Sequence, residues 1–386
     1  MVLKRPFHCP TVVAQGQDFD EALAGLLDGK SWVLVTSAGW LMRGAVGKIQ
    51  NRCGPPRALL ANVCSNPDVP TVVGLADELP DVDTVVALGG GSVIDAAKGA
   101  VALKALSNNL RPFMTHLRDG EPLPDSFAPI PIIAVPTTSG TGSEVTCWGT
   151  IWGEDRIKHS VSHTSLYPSN AVLDPALCVS MPGNLTLATG LDALSHAMES
   201  VWNRRHTEVT DALAEKAIRT LRRHLLAAMR EPNDIVLRSR VQIASLLSGL
   251  TMGTTQTAAA HSISYPFTAH FDVPHGLACS FTLPEIARYN MKDDPSRLLP
   301  IAEGLECSVD EIPEHLEKWF GELGVGPLLA AYVTPDVADT LEGNLITRSR
   351  AANNIRSVDE EAARRIARLA LNYFCPASEL DAAVNN

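Results

Sequence analysis

No apolar run in this 386-residue chain is long enough to cross a bilayer, a task that takes roughly 18 residues. The first ten residues, MVLKRPFHCP, contain two basic residues with no long apolar region behind them, so a secretory signal is not expected. Cysteine occurs eight times but never as C-x-x-C. That excludes a zinc knuckle and a disulfide framework and suits reduced thiols, so the expected location is cytoplasmic. Positive charge is in deficit, with 32 Lys and Arg against 43 Asp and Glu and a formal net charge of -11. Such a balance disfavours a general nucleic-acid or acidic-membrane surface, while leaving room for a local basic pocket. Internal repeats and low-complexity tracts are missing as well.

What is present is a globular composition, 45% apolar and 19% charged, in a chain too long for one ordinary core. Short β-branched runs at residues 31–39, 84–92 and 130–140 each end in Gly, Ser or Thr. They alternate with helical patterns at 19–27, 69–79 and 93–106, which predicts a parallel, doubly wound sheet. Beyond residue 180 convincing strands stop and nearly every segment has helical spacing. The expected organisation is an α/β domain over residues 1–180 and an α-helical domain over 181–386.

Two loops carry a nucleotide signature. In ALGGGSVIDAAKG a buried run meets three glycines, Gly89, Gly90 and Gly91, then Ser92 and a helix. Glycines admit a phosphate close to the backbone, and a helix N-terminus offers unpaired N–H groups and a positive dipole end. The spacing departs from G-x-G-x-x-G, the usual dinucleotide fingerprint. Asp95 is expected to cap or orient this loop, and Lys98 to be a solvated helix residue. The second loop, PTTSGTGSEVT at 136–146, supplies six hydroxyls and two glycines, enough to bind ribose and phosphate oxygens. Both loops fall at strand exits, where ligands of open α/β sheets sit.

A second group of residues has metal-ligand chemistry. In TGLDALSHAMESVW the helical pattern puts Asp192 and His196 a turn apart on one face. Downstream, AHSISYPFTAHFDVPHG contains His261, His270 and His275. His261 is expected to end a helical run, TTQTAAAH, and His275 to sit in a Pro-His-Gly loop. One carboxylate and three imidazoles suit a borderline divalent ion, Fe(II), Zn(II), Co(II) or Ni(II). His275 is preferred to His270 because its neighbours restrict the backbone.

Taken in order, GGGSVIDAAK, PTTSGTGSEVT, DPAL, GLDALSHAMES and H…VPHG make the chain resemble the iron-containing (group III) alcohol dehydrogenase family. The resemblance implies a dinucleotide-binding α/β domain followed by an all-α domain, an architecture shared with dehydroquinate synthase. It places the metal ligands on Asp192, His196, His261 and His275, with Fe(II) foremost and Zn(II) as the other choice. The coenzyme, NAD(P), is assigned to Ser37, Gly89, Gly90, Gly91, Ser92, Asp95, Thr137, Thr138, Thr146 and Lys158. The implied reaction is hydride exchange between a nicotinamide and a small aldehyde or alcohol held at a Lewis-acid ion. A homodimer or larger homo-oligomer is the expected assembly, with no nucleic-acid or membrane partner.

Departures from the family pattern refine the expectation. Where many members have a histidine four residues after the third ligand, this chain has Tyr265, which leaves Tyr265 and His270 as catalytic candidates. Where NAD-preferring members have an aspartate after the first Val-Thr, this chain has Ser37, which removes a group that would repel a 2′-phosphate. Arg43 follows within reach. HSISYPFTAHFDVPHG and RSRAANNIRS resemble the phosphonoacetaldehyde reductase branch, whose phosphonate would need basic partners such as Lys158, Arg348 or Arg356. The alternatives are a broad short-chain alcohol dehydrogenase and a dehydroquinate-synthase-like lyase.

Overall fold

The computed structural model describes residues 7–153, 157–341 and 343–376. The chain divides into two compact units, Cys9–Val179 and the residues from Ser180 onward, with Phe7 and His8 grouped with the second.

The first unit is built on a six-stranded parallel sheet. Along the chain come β1 (Val12–Gln15), α1 (Phe19–Leu27), β2 (Trp32–Thr36), α2 (Ala38–Met42), α3 (Ala45–Cys53), β3 (Leu59–Leu60) and α4 (Val69–Glu78). Then follow β4 (Thr84–Gly89), α5 (Gly91–Ala105), α6 (Leu110–Asp119), β5 (Ile132–Pro136), β6 (Trp148–Trp152), β7 (Lys158–Ser162) and β8 (Asn170–Leu173). The central strands β2, β4 and β5 are buried along their whole length. Helices cover both faces of such a sheet, so its strands are continuous apolar runs without alternation. The three runs expected as strands are β2, β4 and β5, each shortened because its Gly, Ser or Thr tail leaves the ladder. The edge strands β1 and β3, the strand β8 and the antiparallel β6–β7 hairpin were not expected. They are short, two to five residues each.

The strand order is β1-β8-β5-β4-β2-β3. From β2 the chain winds outward to β3, and from β4 it winds the opposite way to β5. The reversal puts the topological switch point between β2 and β4, and ligands of open parallel sheets bind outside the carboxyl ends of strands at such a point.

The second unit is helical, and no strand occurs among its described residues. Its first helices are α7 (Gly183–Val201), α8 (Glu208–Arg230), α9 (Ile235–Thr255), α10 (Ala259–Phe271), α11 (His275–Ser280) and α12 (Leu283–Met291). Further helices follow, closing with one at Glu360–Phe374. From Gly190 to Val201 every residue of α7 is buried, so this helix runs through the core with α8, α9 and α11 packed on it. Among the described residues no helix is long and apolar enough to cross a membrane, and no disulfide joins the eight cysteines.

Candidate metal centre and coenzyme loops

Asp192, His196 and Glu199 lie at i, i+4 and i+7 on α7, one stripe of one face. All three are buried. Burying a carboxylate and an imidazole in an apolar core is costly unless each finds a partner. The partners come from α10 and α11.

The expected continuous helix through TTQTAAAH is broken. α9 ends at Thr255, and Gln256 turns the chain with a φ of 63°. α10 begins at Ala259, so His261 lies in its first turn. That turn has backbone N–H groups without intrahelical acceptors, and Glu199 accepts from them. Its Oε2 takes Ala258 N at 2.9 Å, and its Oε1 takes Ala260 N at 2.5 Å and His261 N at 3.2 Å. The same carboxylate lies 2.6 Å from His261 Nδ1.

The Pro-His-Gly segment is likewise not a loop: Pro274 precedes α11 and His275 is its first residue. Gly276 has a steric reason. A Cβ there would stand 1.7 Å from the Ala188 carbonyl oxygen on α7. Only glycine lets the two backbones approach this closely, and the approach carries His275 to Asp192.

Three imidazoles therefore converge on one carboxylate oxygen. Asp192 Oδ1 lies 3.7 Å from His196 Nε2, 3.4 Å from His261 Nε2 and 3.9 Å from His275 Nε2. The His196 and His261 rings stack with centroids 4.6 Å apart, and His275 meets His261 edge-on at 5.4 Å. Cys279, one turn beyond His275, brings its thiol to 3.6 Å from Asp192 Oδ1. Ligand atoms of Asp192, His261, His275 and Cys279 lie within 4.8 Å of one another. The residues fit a divalent ion: His261 Nε2 is buried without a hydrogen bond, and its other nitrogen is already committed to Glu199. Glu199 and Cys279 were missed in the sequence, although the i+7 spacing from Asp192 and the i+4 spacing from His275 signal both.

Electrostatics bind the cluster together. Burial would raise the Asp192 carboxyl, but the surrounding imidazoles of His196, His261 and His275 hold it well below the usual carboxylate range. Glu199 is also held low: burial opposes its charge, and His261 and the backbone N–H groups outweigh burial. Burial opposes a proton on His261, yet Cys279, Glu199 and Asp192 together raise its pKa well above the ordinary value. An ion entering the cluster must displace that proton.

Tyr265 lies on α10 with its ring 6.5 Å from that of His275, nearly parallel at 21°. His270 is exposed in the last turn of the same helix. It sits nine residues, about two and a half turns, from His261, hence on the opposite face.

In the first unit the two nucleotide-type loops follow the adjacent strands β4 and β5. They are pressed together: a Cβ on Gly90 would meet Thr138 Oγ1 at 3.0 Å, and one on Gly91 would meet Thr141 Oγ1 at 2.6 Å. Gly90 precedes α5 and Gly91 opens it, while the Ser92 hydroxyl accepts from Asn66 N at 3.2 Å. Thr137 is buried and its N–H is bound to Gly89 O at 3.0 Å, while Thr138 is half-buried. Ser37 sits directly after β2, across the switch point, and precedes α2. Arg43 is exposed, its guanidinium 5.0 Å from the Trp40 ring centre.

The solvated position expected for Lys98 is corrected. Lys98 is fully buried and donates to the carbonyls of Ser143 at 2.7 Å, Thr146 at 2.8 Å and Trp148 at 2.8 Å. Burial pushes its ammonium down to about 8, against the pull of Asp95. Asp95 accepts from the Ser143 hydroxyl at 2.5 Å and from Thr150 N at 3.0 Å. The pair ties α5, which starts at the first loop, to the second loop and to β6. Thr146 faces this network, with its hydroxyl 3.4 Å from Lys98. Lys158 opens β7, paired with Trp152 in the hairpin.

Two basic residues considered for an anion are placed otherwise or lie outside the description. Arg356 donates to the Tyr289 carbonyl at 2.9 Å and lies 4.1 Å over the Tyr289 ring, so it joins α12 to the following chain. The side chain of Arg348 lies outside the described residues.

Residues 10–175 match the family described as iron-containing alcohol dehydrogenase, and residues 186–332 match the C-terminal domain of the Fe-containing alcohol dehydrogenase family. The chain is 34% identical to 1,3-propanediol dehydrogenase of Klebsiella pneumoniae over 72% of each chain. It is 31% identical to NADPH-dependent butanol dehydrogenase of Clostridium saccharobutylicum over 78% of each. Among solved structures, sulfoacetaldehyde reductase of Bifidobacterium kashiwanohense, in complex with NAD+, superposes with a TM-score of 0.86 at 26% identity, covering 95% of this chain and 98% of that one.

Proposed function

The chain belongs to the iron-containing alcohol dehydrogenase family, and from that premise we propose that it reduces a small anionic aldehyde with a nicotinamide coenzyme at a divalent metal. It is an oxidoreductase acting on CH–OH groups. The observation that carries the metal reading is the convergence of His196, His261 and His275 on one oxygen of Asp192. These four residues would hold the ion, Fe(II) foremost and Zn(II) as the alternative. When bound, the ion supplies Lewis-acid polarisation of the carbonyl and the dihydronicotinamide supplies the hydride.

The chain's own residues do the rest. The N–H groups at Gly90, Gly91 and Ser92 and the hydroxyls of Thr137 and Thr138 would hold the coenzyme phosphates at the start of α5. Asp95, Lys98 and Thr146 hold the two loops in register from behind. Ser37 would meet the adenosine ribose without repelling a 2′-phosphate, so NADPH is used as well as NADH. Tyr265 would donate a hydrogen bond to the substrate, because a phenol with a pKa of roughly 10 is a poor base but a good donor at neutral pH. We assign it to orienting the substrate, with no proton relay, and leave His270 out of the chemistry.

For the substrate we favour phosphonoacetaldehyde, reduced to 2-hydroxyethylphosphonate. The similarity to an enzyme named for sulfoacetaldehyde, itself an aldehyde carrying a fixed anion, supports an anionic small aldehyde over a plain alkanal. The test is a panel of aldehydes, including phosphonoacetaldehyde and propanal, with NADH and NADPH on metal-reconstituted protein. We expect the highest kcat/KM for phosphonoacetaldehyde, and Ser37→Asp should selectively weaken use of NADPH. A preference for uncharged aldehydes would overturn the substrate assignment. Bound metal surviving in full in a His275→Ala variant would overturn the ligand set.

A further inference from the structure

We infer that Glu199 is a positioning residue for the metal centre, fixing which nitrogen of His261 is offered to the ion. The inference rests on reading the Asp192 cluster as a metal site. Glu199 is fully buried and makes four polar contacts, two on each oxygen. Oε1 accepts from Ala260 N and His261 N; Oε2 accepts from Ala258 N and lies 2.6 Å from His261 Nδ1. Three of these partners are backbone N–H groups that can only donate, and three donors on one carboxyl favour its ionised form. An ionised carboxylate is the one protein side chain of this size that is acceptor-only on both arms.

The fourth contact follows from the same fact. An ionised carboxylate has no proton to offer, so His261 Nδ1 carries the hydrogen and donates it to Oε2. With Nδ1 protonated, Nε2 is the nitrogen left for the ion, and it lies 3.4 Å from Asp192 Oδ1. One carboxylate thus sets the start of α10 and the orientation of a ligand on its first turn. Outer partners of this kind hold the ring in place and raise its basicity, and their loss typically weakens metal binding by about 10–100-fold.

Glu199→Gln is the discriminating variant. In either orientation its amide NH2 faces two donors. If it replaces Oε2, His261 must turn Nδ1 into an acceptor, which puts the proton on Nε2 and blocks the ion. The experiment titrates metal-free wild type and E199Q with Co(II) and Zn(II) against a competing chelator, and compares their metal-free melting temperatures. The expected result is metal affinity weakened about 10–100-fold in a protein that still folds. Zinc-loaded wild type with 15N-labelled histidine should show His261 bound through Nε2 with a proton on Nδ1. A folded E199Q with wild-type affinity overturns the inference, since a plain helix cap predicts only a lowered melting temperature. Coordination of His261 through Nδ1 overturns it too, and that measurement decides the matter if E199Q fails to fold. If wild type itself binds no ion, the metal reading fails first; if wild type binds and E199Q binds equally, only the role of Glu199 fails.

Discussion

At the scale of single residues, what a side chain does here depends on its partners more than on its type. Lys98 and Glu199 stand on helices among small apolar residues, where long charged side chains usually reach solvent. Both are instead fully buried because each meets several complementary backbone groups: Lys98 donates to three carbonyls, and Glu199 accepts from three N–H groups. Periodicity in a sequence marks a face but not the backbone ends that another segment brings to that face. Asp192 and His196 were legible because both ends of their pair lie on one helix. Tyr265 falls between these cases. Its spacing from His261 pointed it toward the cluster, and its ring stacks near His275. Tyr265→Phe should lower kcat/KM by a lost hydrogen bond to a charged group, about 1.5–3 kcal/mol, and leave the acid limb of the pH–rate profile in place. Unchanged kinetics with a reduced melting temperature would make it a packing residue.

At the scale of elements, the site is a crossing of three helices, and the close fit of α11 on α7 sets its width. A metal site tolerates ligand displacements of about 0.2 Å, whereas ordinary helix pairs pack about 8–10 Å apart with wide scatter. Gly276 removes that scatter by bringing backbone against backbone. Gly276→Ala must push α11 away from Ala188, where its Cβ would otherwise lie 1.7 Å from the carbonyl oxygen. We expect destabilisation on the order of 1–3 kcal/mol and loss of tight metal binding even under conditions where the variant is folded. Chemical denaturation combined with metal titration measures both; retained metal affinity would show that His275 does not depend on this approach. The boundaries of α9, α10 and α11 were misread from sequence for a related reason. TTQTAAAH has uniform helical composition, and its break at Gln256 is a positive-φ turn that no Gly or Pro announces.

At the scale of the molecule, the two compact units carry separate apolar cores, and the candidate ligands belong to one of them while the coenzyme loops belong to the other. An ion bound to Asp192, His196, His261 and His275 joins α7, α10 and α11, which pack in a single core. Metal should therefore stabilise the helical unit, by about 2.7 kcal/mol when its concentration is 100 times Kd. Stripping with a chelator should lower the calorimetric transition of that unit, and adding Zn(II) or Co(II) should restore it. A thermogram indifferent to metal would argue that the cluster binds no ion in the folded protein.

The α/β-then-α order, the three central strands, the paired loops at their exits and the Asp192–His196 pair were legible in the sequence itself, while the full set of four candidate ligands came with the family resemblance. Buried parallel strands must be apolar throughout, and an i,i+4 pair shares a face wherever its helix lies. The edge strands and the β6–β7 hairpin were decided by the tertiary structure, because short strands take their stability from neighbours and not from their own pattern. So was the assignment of Lys98, Glu199 and Cys279. Their surroundings are assembled from segments 45 to 87 residues away, and a buried charge can be placed only once the groups that solvate it in place of water are known.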